Sequence, residues 1–149
     1  MLSRKLGDQS AVTRARKRLR RTVFGWGPAA LWAAVLFLLS AWEEPSGIGL
    51  LDLPDEVLHI GIYSVFGMTL WWARHYRHPT ATPAWFWGSG WVYGISDEWH
   101  QTFVAGRDAA FGDVVSDWIG VLLGFGAMVL VERKLRRMAK RREPTSDKE

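Results

Sequence analysis

Residues 93 to 117, YGISDEWHQTFVAGRDAAFGDVVSD, set five acids, one Arg, one His and one Gln beside segments apolar enough to enter a bilayer. An ionisable group at membrane depth costs roughly 2.5–3.5 kcal/mol on insertion scales, so a cluster of them marks a functional site. Three chemistries suit these residue types. A His held between carboxylates is fixed in one tautomer and made more basic, as a general base requires, which makes His59 and Glu98 an acid/base pair. His59, Glu98, His100, Asp113 and Asp117 are hard or borderline ligands for a divalent ion, although no local motif such as H-E-x-x-H arranges them. Arg107 suits an anionic headgroup, phosphate or carboxylate, with neighbouring acids orienting donor groups of the same ligand. Residue types alone leave all three open and name no metal or cofactor. The chain has no Cys, which excludes disulfides, thiol nucleophiles and thiolate metal sites, and no Ser stands in an obvious nucleophile motif.

The elements that carry these groups follow from charge and hydropathy. Residues 1–24 hold eight Lys/Arg against one acid, residues 25–131 three against ten, and residues 132–149 eight against four. The basic pI of about 9.8 therefore belongs to the two ends. Basic tails around an acidic, apolar middle signal membrane topology rather than nucleic-acid binding. A spanning helix needs about 20 mostly apolar residues. Four segments qualify: Val23–Trp42 without charge, Val57–Ala73 broken only by His59, Ala84–Val104 turning polar after Ser96, and Val114–Val131 broken only by Asp117, which sets spans over about 23–42, 55–73, 84–104 and 113–131. Pro, Gly and charge punctuate the stretches between them. The expected fold is an all-α membrane protein, four transmembrane helices in an antiparallel bundle, with a basic tail over 1–22 and a charged tail over 132–149. Lys/Arg asymmetry places both termini in the cytoplasm and the first and third loops outside. The long basic lead and the apolar stretch of about 20 residues after it read as an uncleaved anchor rather than a signal peptide.

Helix rise brings the polar groups to one level. From starts near Asp55 and Asp113, His59 and Asp117 each lie ~6 Å along their spans, and Asp97 lies ~20 Å up the third span from Ala84. All three spans thus deliver polar groups to one outer slab. At ~100° per residue, Gly90, Gly94, Asp97 and Gln101 share one face of the third span, and Asp113, Asp117, Gly120 and Gly124 share one face of the fourth. Small residues four apart let helix backbones approach, so these faces are expected to meet, with the carboxylates above them looking into a shared pocket. Trp91, Ile95 and Trp99 fall on the opposite, lipid-facing side. Asp55 and His59 share a face of the second span, with Tyr63 on its shoulder. Asp55 and Asp113 also suit helix N-termini as caps, and the many Trp residues suit membrane interfaces.

DEVLHIGIY at 55–63 and YGISDEWHQTFVAGRDAAFGDVVSDWIGVLLG at 93–124 resemble the VanZ-like family of small bacterial membrane proteins. That pattern joins an acid-x-x-x-His pair to E-x-x-Q, an Arg and D-x-x-x-(Asn/Asp)-x-x-Gly. Matched residue by residue, it marks Asp55, His59, Glu98, Gln101, Arg107, Asp113, Asp117 and Gly120, and the likeness covers roughly residues 30 to 131. Glu56 stands where Lys is frequent and Asp117 where Asn is frequent. The resemblance implies a multi-pass protein of the bacterial cytoplasmic membrane, and a link to the cell envelope. Its name-giving member is associated with lowered susceptibility to the glycopeptide teicoplanin, but the family supplies no reaction.

Two functional expectations follow. In the first, an outward-facing polar pocket binds and processes a lipid-linked or amphiphilic envelope substrate: His59 and Glu98 act as acid and base, and Asp55, Gln101, Arg107, Asp113 and Asp117 bind. In the second, the same network is a non-catalytic, structural or ion-sensitive element of a membrane binding or scaffold module. The bilayer is the partner in both, and neither sets an oligomeric state.

Overall fold

A computed structural model describes residues 2–42, 54–77, 80–107 and 110–142. The expected first outward loop from Glu43 to Leu53, parts of the other two loops, and the tail beyond Arg142 lie outside the described residues. Among those described there are four helices and no strand: α1 (Leu2–Ser40), α2 (Asp55–Arg77), α3 (Ala84–Gln101) and α4 (Phe111–Arg142).

Local chemistry sets the ends of these helices. Helix α2 starts with Asp55 and Glu56 at the positive end of its dipole and finishes with Arg74, His75 and Arg77 at the negative end. Helix α3 starts after Pro83 and stops at Gln101, where Phe103 and Val104 donate N–H bonds of 3.0 Å to His100 and Gln101 in a tightened turn. Gly106 follows at φ 80°, a left-handed conformation that glycine adopts without a Cβ penalty. Helices α1 and α4 run on past the apolar stretches into the basic ends, reaching 39 and 32 residues. Arg and Lys are good helix formers, so nothing in those ends stops the helix.

Apolar stretches within Val12–Ser40 and Phe111–Arg141 reach mean hydropathies of 1.8 and 2.1 and are long enough to cross a membrane. Helices α2 and α3 hold no stretch of that hydropathy and are richer in Trp and Tyr, whose rings favour membrane interfaces. Leu31, Leu38, Trp85, Val92, Phe111 and Leu130 are exposed, the outward apolar surface that a lipid environment would cover.

Helix α2 is the centre of the packing: it lies against α4 most extensively, then α1 and α3, whereas among the described residues α1 and α4 are not packed together. Neighbours in sequence run antiparallel, which makes α2 and α4 parallel. Their pairing is read from His59 beside Asp117 near the start and His75 beside Glu132 near the end. The α2–α4 approach is set by glycine. A Cβ on Gly124 would collide with the Ser64 carbonyl and one on Gly67 with the Val121 carbonyl, while one on Gly120 would come 2.7 Å from the Ile60 carbonyl. Beneath this seam Tyr63, Phe66, Leu70, Val121 and Phe125 form the core, with Gly90 of α3 seated over Leu70 and Val121. Helix α1 is fastened by tryptophan and tyrosine: Trp32 Nε1 donates to the Ile62 carbonyl at 2.9 Å and Tyr93 donates to the Ala33 carbonyl at 2.6 Å.

The seam makes a direct prediction. Gly124→Ala should lower stability by about 1–3 kcal/mol, because a methyl group is forced against backbone that cannot give way. Gly126→Ala, with nothing within 4 Å, should be neutral or stabilising. Thermal unfolding of the two purified variants in detergent would check the contrast.

Candidate functional site

The first turns of α2 and α4 and the last turns of α3 meet at one end of the bundle. There His59 Nδ1 lies 2.8 Å from Asp117 Oδ1, and Asp117 has no exposed surface. With Asp117 as a carboxylate, Nδ1 carries the proton and Nε2 is left to accept one or to bind an ion. One turn deeper the fully buried Tyr63 donates its hydroxyl to Asp97 Oδ2 at 2.9 Å. Its ring stacks near-parallel to His59, interplanar angle 7°, so the two side chains brace each other. Toward the bundle end, Glu98 accepts from Gln101 Nε2 at 3.1 Å and from the Ala110 N–H at 3.3 Å, tying α3 to the residue that precedes α4.

Glycine makes room for these carboxylates. Gly94 of α3 faces Asp117 so closely that a Cβ there would stand 3.0 Å from Oδ2. Gly120, one turn below Asp117, lets α4 settle against Ile60 and Tyr63. The glycine face and the acidic face expected from helical phase are thus one continuous surface, buried on α3 at Gly90, Gly94, Asp97 and Gln101.

Each residue named from the sequence has a definite place. His59, Glu98 and Asp113, from three different helices, each offer one ligand-capable atom, all within 4.8 Å of one another. Asp117 holds His59, and Gln101 holds Glu98. Asp55 is exposed in the first turn of α2. Arg107 Nη2 donates to the Leu39 carbonyl at 3.3 Å, fastening the third loop to the last turn of α1, where a cation meets the negative dipole end. It remains close enough to Asp113 for electrostatic attraction. Trp91 departs from the lipid-facing expectation. It is half-buried and stacks on Trp118 at 5.3 Å, and each indole N–H points at the other residue's carbonyl. His100 stacks on Phe37 of α1 at 4.7 Å and is not part of the cluster.

Tyr63 and Asp97 carry no role in either functional expectation, although helical phase turns Asp97 into the shared pocket and sets Tyr63 beside His59. The signal was present. Tyr63 follows His59 by one turn, and Asp97 is in phase with Gly94 and Gln101.

Burial is graded along this face. Asp117 and Tyr63 are fully buried, His59 and Glu98 nearly so, Asp113 is half-buried and Asp55 is exposed. Exposure therefore increases toward the N-terminal ends of α2 and α4. Charge is one-sided: Asp97, Glu98, Asp113 and Asp117 surround a single imidazole. Two unit charges 4.8 Å apart repel by about 3–4 kcal/mol at an effective dielectric of ~20, so protons or a cation must accompany these acids. The grooves at the opposite end carry the reverse charge. One of about 450 Å³ is lined by Arg133, Lys134, Arg137 and Arg141 of α4, and another of about 460 Å³ by Arg16, Lys17, Arg20 and Arg21 of α1.

A family model described as VanZ/LLP1 matches residues 8–132. No curated protein and no solved structure was found to match the chain.

Tyr63→Phe should keep the packing and strip Asp97 Oδ2 of its donor. A buried acceptor left without a partner costs about 1–3 kcal/mol, so a fall in unfolding temperature is expected. The Asp97→Asn background should shrink the effect, and a double-mutant cycle of melting temperatures would measure that coupling.

Proposed function

The chain belongs to the VanZ/LLP1 family, and from that premise we propose a four-span protein of the bacterial cytoplasmic membrane, both termini cytoplasmic, whose polar end faces outward. The tails over 1–22 and 132–149 flank a single membrane domain over 23–131. The polar end binds and processes an amphiphilic or lipid-linked substrate of the cell envelope.

One observation carries this reading: the buried His59–Asp117 pair beside Glu98, at the end of the bundle where burial declines from Asp117 through Asp113 to Asp55. In the proposed roles, Asp117 orients His59, His59 Nε2 takes a proton from substrate or water, and Glu98 returns one to the leaving group. Asp113 and Asp55 line the approach and Gln101 holds Glu98. Arg107 attracts the anionic part of a substrate from the rim, while its Nη2 anchors the loop. Family membership and two apolar, span-length helices support membrane residence. The basic helix ends support a cytoplasmic placement of both termini.

A second reading has its own support. Tyr63–Asp97, Gln101–Glu98 and Arg107–Leu39 are pairings within the protein, as expected of a lock between helices. The network then fixes the bundle for binding a lipid, a glycopeptide or a partner protein.

Cells carrying His59→Gln, which keeps a donor for the buried Asp117, or Glu98→Gln separate the two readings. Processing predicts that the variants accumulate as the wild type does, while the lipid and cell-wall-precursor profile shifts to that of a deletion strain. The lock predicts that the variants fail to accumulate. By analogy with the family's name-giving member, teicoplanin susceptibility is a second readout. An unchanged precursor profile in the deletion strain under envelope stress would sink the processing reading.

A further inference from the structure

We propose that His59, Glu98 and Asp113 form a binding site for one borderline first-row divalent cation such as Zn²⁺, with Asp117 as the residue that orients the histidine. The inference rests on reading the cluster as a site rather than a lock, and it replaces the acid/base roles of His59 and Glu98: with Nε2 and the carboxylate on an ion, neither is free to take or return a proton.

Three separate observations converge on it. First, the donor set: one imidazole and two carboxylates reach the same point from α2, α3 and α4, with one ligand-capable atom of each within 4.8 Å of the others. A nitrogen and two oxygens suit Zn²⁺ better than the all-oxygen preference of Mg²⁺ or Ca²⁺. Donors around one Zn²⁺ lie ~2.0–2.2 Å from the ion, so binding would draw the three side chains together by about an ångström.

Second, the histidine is prepared for the role. Its Nδ1 lies 2.8 Å from Asp117 Oδ1, which leaves Nε2 as the nitrogen for the ion. A carboxylate on the far nitrogen fixes the tautomer and ring orientation of metal-binding histidines and raises their basicity. Asp117 has no exposed surface, and Gly94 closes over it, so this orienting contact is held by packing.

Third, the placement of the remaining donors is selective. Glu98 Oε1 is fixed by Gln101 and Oε2 by the Ala110 N–H, so the carboxylate is aimed before any ion arrives. Asp113 is only half-buried, which leaves a side of the cluster open to solvent or substrate. Three protein ligands with an open position is the arrangement of zinc sites that carry a water or a substrate group. A bound cation would also offset the excess of carboxylates over cations at this end of the bundle.

The test uses the full chain, purified in detergent with a tag free of histidine, stripped with EDTA and titrated with Zn²⁺ by calorimetry, with metal content measured after dialysis. The expected result is about one Zn²⁺ per chain, not displaced by a hundredfold excess of Mg²⁺. Glu98→Gln and Asp113→Asn, which keep shape and remove charge, should each weaken binding at least tenfold. Asp117→Asn should weaken it about 10–100-fold, as loss of an orienting partner does. His75→Ala, removing the His75–Glu132 contact at the opposite end, should leave binding unchanged.

Co²⁺ loaded into wild-type protein gives a second measurement that needs no variant. A visible d–d spectrum of nitrogen and oxygen donors, abolished by Zn²⁺, is expected. Wild-type protein without a stoichiometric ion, or Glu98→Gln and Asp113→Asn proteins that retain full affinity, would overturn the site. If no ion binds while Glu98→Gln still shifts the precursor profile at normal accumulation, the cation is refuted and the acid/base reading stands. If the ion binds as expected but the variants leave that profile unchanged, the cation is upheld and processing falls.

Discussion

Helices α2 and α4 run side by side at a separation that only glycine permits, and the rest of the structure depends on that contact. Gly124 admits the Ser64 carbonyl, Gly120 admits Ile60 and Tyr63, and Gly67 admits the Val121 carbonyl. Apolar burial gives little preference for one helix pairing over another when lipid is as apolar as leucine, so close packing of small residues has to supply it. The contact has a chemical consequence. Because the backbones touch from Ile60 to Phe125, the first turns of both helices are also close, and His59 of one reaches Asp117 of the other across a single 2.8 Å interaction. Widening the seam by the radius of a methyl group would pull that pair apart.

The His59–Asp117 pair in turn fixes register. A buried ionisable pair gives little net stabilisation, since desolvation cancels much of the attraction, yet separating its members strands a charge in low dielectric at several kcal/mol. A slide of α4 by one turn along α2 would move Asp117 about 5.4 Å and break the pair, and would also carry Gly120 and Gly124 away from the carbonyls they admit. The polar pair and the glycines thus select the same alignment. Helix α3 is added to this frame by the same means: Tyr63 to Asp97 from α2, and Asp117 against Gly94 from α4.

Much of this was legible in the sequence because helices convert spacing into direction. His59 and Asp117 stand out as breaks in apolar segments, and the common face of Gly90, Gly94, Asp97 and Gln101 follows from 100° steps; all four are buried. Where periodicity ends, so does that legibility. Arg107 lies in a loop, and nothing in its spacing says that it would reach the Leu39 carbonyl of α1. Trp91 was assigned to the lipid side by angle alone. Phase gives a direction but not what stands there, and in the fold Trp118 stands there. The extents of α1 and α4 were missed for another reason. Hydropathy marks where a helix stops being apolar, whereas Arg- and Lys-rich chain continues as helix well beyond that point.

A lock and a site make different demands on burial, and the gradient at this end of the bundle bears on the choice. A lock is strongest when every member is dry and paired, because water competes for each hydrogen bond and screens each charge. Asp117, Tyr63 and Asp97 are dry, with Asp117 and Tyr63 fully buried and Asp97 almost so, but they are paired only through Asp117 Oδ1 and Asp97 Oδ2, the other oxygen of each acid being buried without a partner among the described residues. Asp113 is only half-buried, and Asp55 is exposed. Yet Asp113 stands with His59 and Glu98, near enough to repel Glu98, and a lock gains nothing from a wetted acid that weakens its own charge balance. A site gains access from it. Depth along a single face thus separates the buried pairs, which join the helices, from the half-buried Asp113 and the exposed Asp55.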